Sequence, residues 1–377
     1  MRTSITLLLG AIAISAMAQT DTIATKPAKS EPFAWGDFTW LNGNDRRHKA
    51  LIDTKYFTGR FLLDANYTAS GNRPIDHTVV GSTALARDNE FQLSCAALGG
   101  DFHYDQVRAS LLLQFGTRAT VVPRNDLSVQ HGQYDLTSAY RYFSEANAGY
   151  HFNVWHGLNV DAGLFMSYVG LFSYYNAENW SYQPSFTSDN TPWFFNGLRV
   201  QAFPTDRLKV ELWLVNGWQS YAKYNNGPGL GFQFLYRPHE WLQLISNNYY
   251  GHDTQDKPGR LRFHTDNSIE VRYLNRSDKG LTRAAFCMTG DLGFEQGEGV
   301  NGLSNSDTKG PAQYFFSGMA YHRLWFAKGH MAWTVGGGFM QNPGRYLVLY
   351  PTGQASPLPS AVTGVTGAYP FSANPGD

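Results

Sequence analysis

The sequence predicts an all-β chain: a transmembrane, antiparallel, up-and-down β-barrel of about 14–16 strands when complete. Three observations predict it. Apolar and polar residues alternate with period two along most of the chain. The alternating segments run about ten to fourteen residues, where soluble strands usually run ~5–6 and a tilted membrane strand needs ~9–11. The connections between them alternate strictly between short and long.

Composition fits the same class. Aromatic residues make up 15% and charged residues only 16%, and there are 38 glycines. The mean hydropathy is −0.36, and no apolar run reaches the ~20 residues of a spanning helix. A barrel combines these features because only every second residue faces lipid. The formal net charge of +0 points away from nucleic acid as a partner.

The chain opens Met1-Arg2-Thr3-Ser4, followed by an apolar run from Ile5 to Ile14 and the small residues Ala16 and Ala18. One positive charge, a short apolar core and an Ala-x-Ala end predict an export signal over residues 1–18. Residues 19–55 are expected to be a lead-in, with Phe33–Leu41 as an extra strand or a small plug. The barrel is expected over residues 56–341, and residues 342–377 as an extracellular loop that stops before one or more further strands. That tail is rich in Pro, Gly and Ser and contains no amphipathic strand ending in an aromatic residue.

Within the barrel, Val107, Ala109, Leu111, Leu113 and Phe115 alternate with Arg108, Ser110, Leu112, Gln114 and Gly116. Leu158, Val160, Ala162 and Leu164 oppose Asn159, Asp161 and Gly163. Leu208, Val210, Leu212 and Leu214 oppose Lys209, Glu211 and Trp213. Strands are predicted to begin near Phe57, Glu90, Asp105, Arg141, Gly157, Trp193, Arg207, Gly229, Glu240, Arg262, Leu281, Gln313 and His330. Short turns fall near Phe102–Tyr104, Val154–His156, Pro204–Asp206, Pro238–His239, Arg276–Gly280 and Phe326–Gly329. Long polar loops fall near Ser70–Arg87, Val121–Ala139, Gly170–Pro192, Gln219–Gly227, His252–Arg260 and Glu295–Ala312. Such parity is what the periplasmic and extracellular ends of an outer-membrane barrel produce, and a soluble sandwich gives no reason for it. Trp193, Phe194, Phe195, Phe203, Trp218, Trp241, Tyr249, Tyr250, Trp325 and Trp333 lie near strand ends and are expected to form the interfacial girdles.

The candidate functional residues are the charges on the polar faces: Arg108, Arg118, Arg199, Lys209, Glu211, Glu270, Arg272, Arg283, Asp291 and Arg323. Burying ten ions in a dry core costs several kcal/mol each unless every one is matched, so a water-filled lumen whose field they set is the expected reading. The loop Gly170–Pro192, with Tyr174, Tyr175, Trp180 and Tyr182, is the candidate to fold inward and constrict it. Cys95 falls on the lipid-facing set Phe91, Leu93, Cys95, Ala97, and Cys287 on the lumen-facing set, so no disulfide is expected. The sequence has no Gly-x-Ser-x-Gly elbow, His-Glu-x-x-His helix or Cys-x-x-Cys pair, so no catalytic site, cofactor or metal is expected. A plugged barrel acting as a surface receptor or adhesin is the alternative reading, and a barrel enzyme such as a lipase the least supported.

The run Asn179-Trp180, Ser188-Asp189-Asn190-Thr191-Pro192-Trp193, Gly197-Leu198-Arg199 and Val215-Asn216-Gly217-Trp218 resembles the OmpL-like β-barrel outer-membrane porin family. The likeness extends more weakly from about Tyr56 to Gln341, through Asn89-Glu90-Phe91 and Asp161-Ala162-Gly163. It implies an outer-membrane porin that passes small hydrophilic solutes by passive diffusion, with membrane lipid and those solutes as partners. It implies no catalytic residues, and it leaves a homo-oligomer open.

Overall fold

The computed structural model describes residues 30–342 except 48, 72–76, 78, 80, 124–125, 127, 129–131, 224–226, 255–256, 278–279 and 303–312. The expected export signal and the tail beyond residue 342 lie outside the described residues.

One antiparallel sheet makes up the fold, and strands pair in sequence order except that the short β12 folds back on β11, leaving β11 to pair with β13. Its strands are β1 (Phe57–Thr68), β2 (Glu90–Tyr104), β3 (Val107–Phe115), β4 (Phe143–Phe152), β5 (Leu158–Met166), β6 (Phe194–Thr205) and β7 (Leu208–Val215). Then come β8 (Gly229–His239), β9 (Leu242–Gly251), β10 (Leu261–Asn275), β11 (Leu281–Gly297), the two-residue β12 (Val300–Asn301), β13 (Tyr314–Phe326) and β14 (Met331–Gln341). The thirteen predicted strands are thus all present. Three turns sit later than predicted: Phe102–Tyr104 still belongs to β2, Pro204 to β6, and Pro238 and His239 to β8. Glu295, expected in a loop, lies on β11. Three short helices, α1 (Arg118–Val121), α2 (Leu136–Tyr140) and α3 (Phe186–Asp189), occupy long loops, and Phe33–Leu41 forms turns rather than a strand.

Among the described residues β1 and β14 do not pair with each other, yet the sheet curls enough to bring both against one loop. Tyr182 donates its hydroxyl to Asp64 on β1 at 2.5 Å, and Thr334 on β14 donates to the Trp180 carbonyl at 2.9 Å. The convex face is apolar: Leu63, Leu98, Leu212, Leu230 and Met288 are each half or more exposed. Only hydrocarbon around the wall makes that arrangement favourable, since in water each such side chain would forgo roughly 1.5–3 kcal/mol of burial.

Only some of the residues expected in the girdles face outward. Trp193, Phe194, Phe195, Trp218, Tyr249 and Trp325 are buried on the concave side, whereas Trp241, Tyr250 and Trp333 do face outward. Outward aromatics pair near the short turns: Tyr56–Tyr104 at 5.5 Å and Phe57–Phe102 at 4.6 Å between segments, and Tyr150–Phe152 at 4.9 Å along β4. Tyr67–Phe91 at 5.0 Å and Phe316–Phe339 at 5.3 Å lie near the long loops. Cys95 also departs from expectation. A bulge leaves Ser94 without a partner, because Asp64 pairs with Cys95 and Ala65 with Leu93. Ser94 and Cys95 consequently both turn inward, since an extra residue reverses the alternation. Cys287 is inward and buried as well, and both thiols are free.

Candidate pore-lining site

On the concave face, side chains at matched register form polar belts from strand to strand. The belt nearer the short turns runs across β4 to β7. Lys209 pairs with Glu211 at 3.0 Å, and Gln201 donates to Glu211 at 2.6 Å. Asn159 donates to Gln201 at 2.9 Å, and His151 Nδ1 lies 2.8 Å from Asn159 Oδ1. The Asn159 amide nitrogen is spent on Gln201, so its oxygen faces His151, whose Nε2 lies 3.1 Å from Asn153 Oδ1. Each contact follows a direct cross-strand pair, His151 with Asn159, Asn159 with Gln201, and Gln201 with Glu211.

The next belt is ionic. Asp161 on β5 sits 2.7 Å from Arg199 on β6 and 3.2 Å from Arg108 on β3. Arg199 also lies over the Phe165 ring at 4.8 Å. Further round the wall, Gln233 donates to Asn247 at 2.7 Å and Asn247 to Asp266 at 2.8 Å, and Arg262 pairs with Glu295 at 2.6 Å.

Two segments enter the space enclosed by the wall. The first is residues 33–46, which cross the short-turn end and climb inward. Phe33 N and Trp35 Nε1 donate to the Asp206 carbonyl, and Trp40 Nε1 donates to the Glu240 carbonyl at 3.2 Å. Asp37 pairs with Arg283 at 3.2 Å, and Asn42 N donates to Glu270 at 2.7 Å. Burial would raise the Asp37 carboxyl, but hydrogen bonds from Thr39 and the charges of Arg283 and Arg272 hold it below its ordinary value.

The second segment is the loop between β5 and β6. Tyr174 donates to Gln114 at 2.8 Å, Tyr175 to Glu145 at 2.9 Å, and Asn176 to Asp64 at 2.7 Å. Arg323 donates to the Trp180 carbonyl. The two segments meet: Trp180 Nε1 donates to the Trp40 carbonyl at 2.9 Å, and Trp180 N to Asn42 Oδ1 at 2.6 Å. Gly43, at φ +69°, lies so close to the loop that a Cβ there would stand 2.2 Å from the Leu171 carbonyl. Nearby, burial pushes Glu178 above the ordinary carboxylate range.

A cavity of about 440 Å³ remains between loop and wall, lined by Arg108, Glu145, Arg199, Lys209, Glu211, Trp213, Gln233 and Arg237 among others. A second space of about 880 Å³ opens at the short-turn end, lined by Phe33, His151, Trp155, His156 and Phe203, and it shares Arg108 and Gln201 with the first.

Of the sequence candidates, Arg108, Arg199, Lys209 and Glu211 border the inner cavity together with Tyr174 and Tyr175. Glu270, Arg272 and Asp291 are inward but packed away: Glu270 under Asn42, Arg272 on Glu240 at 2.8 Å, and Asp291 on His264 at 3.2 Å. Arg283 holds Asp37, and Arg323 and Trp180 hold each other. Arg118 requires correction. It starts α1 rather than continuing β3, and it is buried against the Tyr174 carbonyl and Asn176. Strand alternation was extended there beyond the point where β3 ends. Tyr182 stays half-exposed on β1. Sequence reasoning missed Glu145, Asp161, Gln233 and Arg237, although all four lie on the same inward phase as the residues it named.

The family model described as "Putative beta-barrel porin-2, OmpL-like" matches residues 57–321, well over half of the chain. The chain belongs to this porin family. It is accordingly a β-barrel protein of the outer membrane. A solved structure, OmpT (in-vitro folded), an outer membrane protein of Vibrio cholerae, is similar at 9% identity. The similarity covers 77% of this chain and 89% of that one, with a TM-score of 0.35. The comparison with curated proteins finds no match.

Proposed function

We propose that this porin passes small hydrophilic solutes through a narrow, charged passage that the β5–β6 loop and residues 33–46 constrict. The observation that carries the reading is the inner cavity: a polar space of about 440 Å³ bordered by paired ions, adjoining the periplasmic space at Arg108 and Gln201. Ionic groups set the field that a permeating solute meets. Here they are held in place by cross-strand partners, so they act as fixed charges rather than flexible tethers. The polar lining and the membrane-exposed wall support small solutes and lipid as the partners.

A second reading, a plugged surface receptor, is favoured by the packing of Trp40, Leu41, Trp180 and Trp325 into one buried apolar cluster at the middle of the enclosed space. Planar-bilayer conductance of the folded protein separates the two. Stepwise channels of stable size, widened by replacing Tyr174–Gln183 with a short Gly-Ser link, are expected. A folded barrel that stays electrically silent in both forms overturns the pore and leaves the receptor.

A further inference from the structure

Arg237 on β8 borders the inner cavity, yet among the described residues no carboxylate lies within ion-pair distance of it. Its guanidinium is sandwiched between the rings of Phe33, at 4.9 Å, and Phe38, at 4.4 Å. Its Nε donates to Gln243 Oε1 at 2.5 Å, and among the described residues no acceptor takes its four terminal N–H bonds. Glu270, beyond direct contact, attracts the Arg237 charge, while its own oxygens accept from Gln243 at 2.6 Å and from Asn42 N at 2.7 Å.

The other charges bordering the cavity are accounted for. Glu211 is spent on Lys209, Gln201 and the Trp213 indole. Glu145 is spent on Arg60, at 3.0 Å, and on Tyr175. Glu178 accepts from Ser173 at 2.6 Å. Asp101, on β2, borders the cavity and is exposed. Among the described residues, Arg237 is left with terminal N–H donors that no acceptor takes.

A guanidinium clamped by two aromatic faces has lost most of its water and presents a planar fork of donors. We propose that Arg237, flanked by Lys209, is an anion-binding point that takes the carboxylate or phosphate group of a small solute in the inner cavity. A bidentate oxyanion satisfies the open donors in one step. The cavity volume is at the small end of ligand pockets, ~300–1,000 Å³, so the anion is compact. The role of this point in selecting solutes rests on the pore reading above, but its existence does not.

The test is calorimetric titration of inorganic phosphate into the folded, detergent-solubilised protein, with sulfate as competitor. Saturable binding is expected in the wild type, weakened by about tenfold or more in Arg237→Gln and to a lesser extent in Arg237→Lys, which keeps the charge but loses the fork. Each variant is first checked for heat-modifiable migration on gels. If Arg237→Gln does not fold, Arg237→Lys carries the test. No saturable binding in the wild type, or binding unchanged by either substitution, overturns the site. A silent bilayer with intact phosphate binding would remove the pore reading and leave the anion point standing.

Discussion

Asp161 on β5 holds Arg108 on β3 at 3.2 Å although β4 runs between them. The residue of β4 that pairs with both is Gly149. A Cβ there would stand 2.3 Å from Asp161 Oδ1 and 2.1 Å from the Val160 carbonyl. Gly149→Ala is therefore expected to push the carboxylate aside and detach Arg108. Overpacking of this kind costs ~1–3 kcal/mol. Urea unfolding of the detergent-folded protein should show the loss, and an unchanged midpoint would mean the strand simply gives way.

Asp161 itself compensates two guanidinium groups, Arg108 and Arg199. In Asp161→Asn both keep their positive charge without the balancing carboxylate. Breaking a buried pair from one side costs ~3–5 kcal/mol, and the half-exposed position of Arg108 places this variant at the lower end. Among folded molecules the charge bordering the cavity becomes more positive. The reversal potential in a KCl gradient should shift toward chloride preference, and a shift toward potassium would contradict the fixed-charge account.

The wall was legible in the sequence because strand period and lipid exposure act on every residue. Thirteen strand starts and the loop parity follow from alternation alone. Alternation misled only where the backbone breaks it. The bulge at Ser94 turned Cys95 inward, and the end of β3 before Arg118 moved that residue into a loop helix. What fills the barrel was less legible. Tyr174 and Trp180 were named because aromatic residues crowd one long loop, but Trp40 and Asn42 belong to a segment with no periodicity. Their position depends on Glu270 and Trp180, more than a hundred residues away. Likewise Trp193 and Trp218 read as girdle residues because proximity to a strand end does not say which face they take.

Residues 33–46 are pinned by Asp37, whose pKa is held below the ordinary 3.8. A depressed carboxyl contributes stability above its unfolded pKa and loses it as pH falls through the folded value. The segment should therefore stay docked across neutral and mildly acidic pH and loosen only in strong acid. Asp37→Asn removes the charge pairing with Arg283 and Arg272 at every pH. Trypsin cleavage after Arg47, which is exposed, should be severalfold faster in Asp37→Asn at pH 7.5. Equal cleavage rates would show that Trp40 and Leu41 hold the segment without Asp37.

At the long-loop end, Asp189 at the end of α3 accepts from the Thr83 hydroxyl at 2.7 Å and so ties the β1–β2 loop to the β5–β6 loop. Burial raises its carboxyl to about 6, against partial lowering by the Thr83 hydroxyl and the Arg118 charge. Here the folded pKa lies above the unfolded 3.8, so between those values the folded state binds more protons than the unfolded. Stability contributed by this group then falls as pH rises from about 4 to 6 and is level above it. At about 1.4 kcal/mol per unit, the effect is at most about 3 kcal/mol. Asp189→Asn keeps an acceptor for Thr83 and carries no charge to desolvate. The variant should unfold at higher urea than wild type at pH 7.5, and the gap should shrink to about a third at pH 4.5. A variant less stable than wild type at pH 7.5 would mean that the ionised carboxylate, through Arg118, is what holds the two loops together.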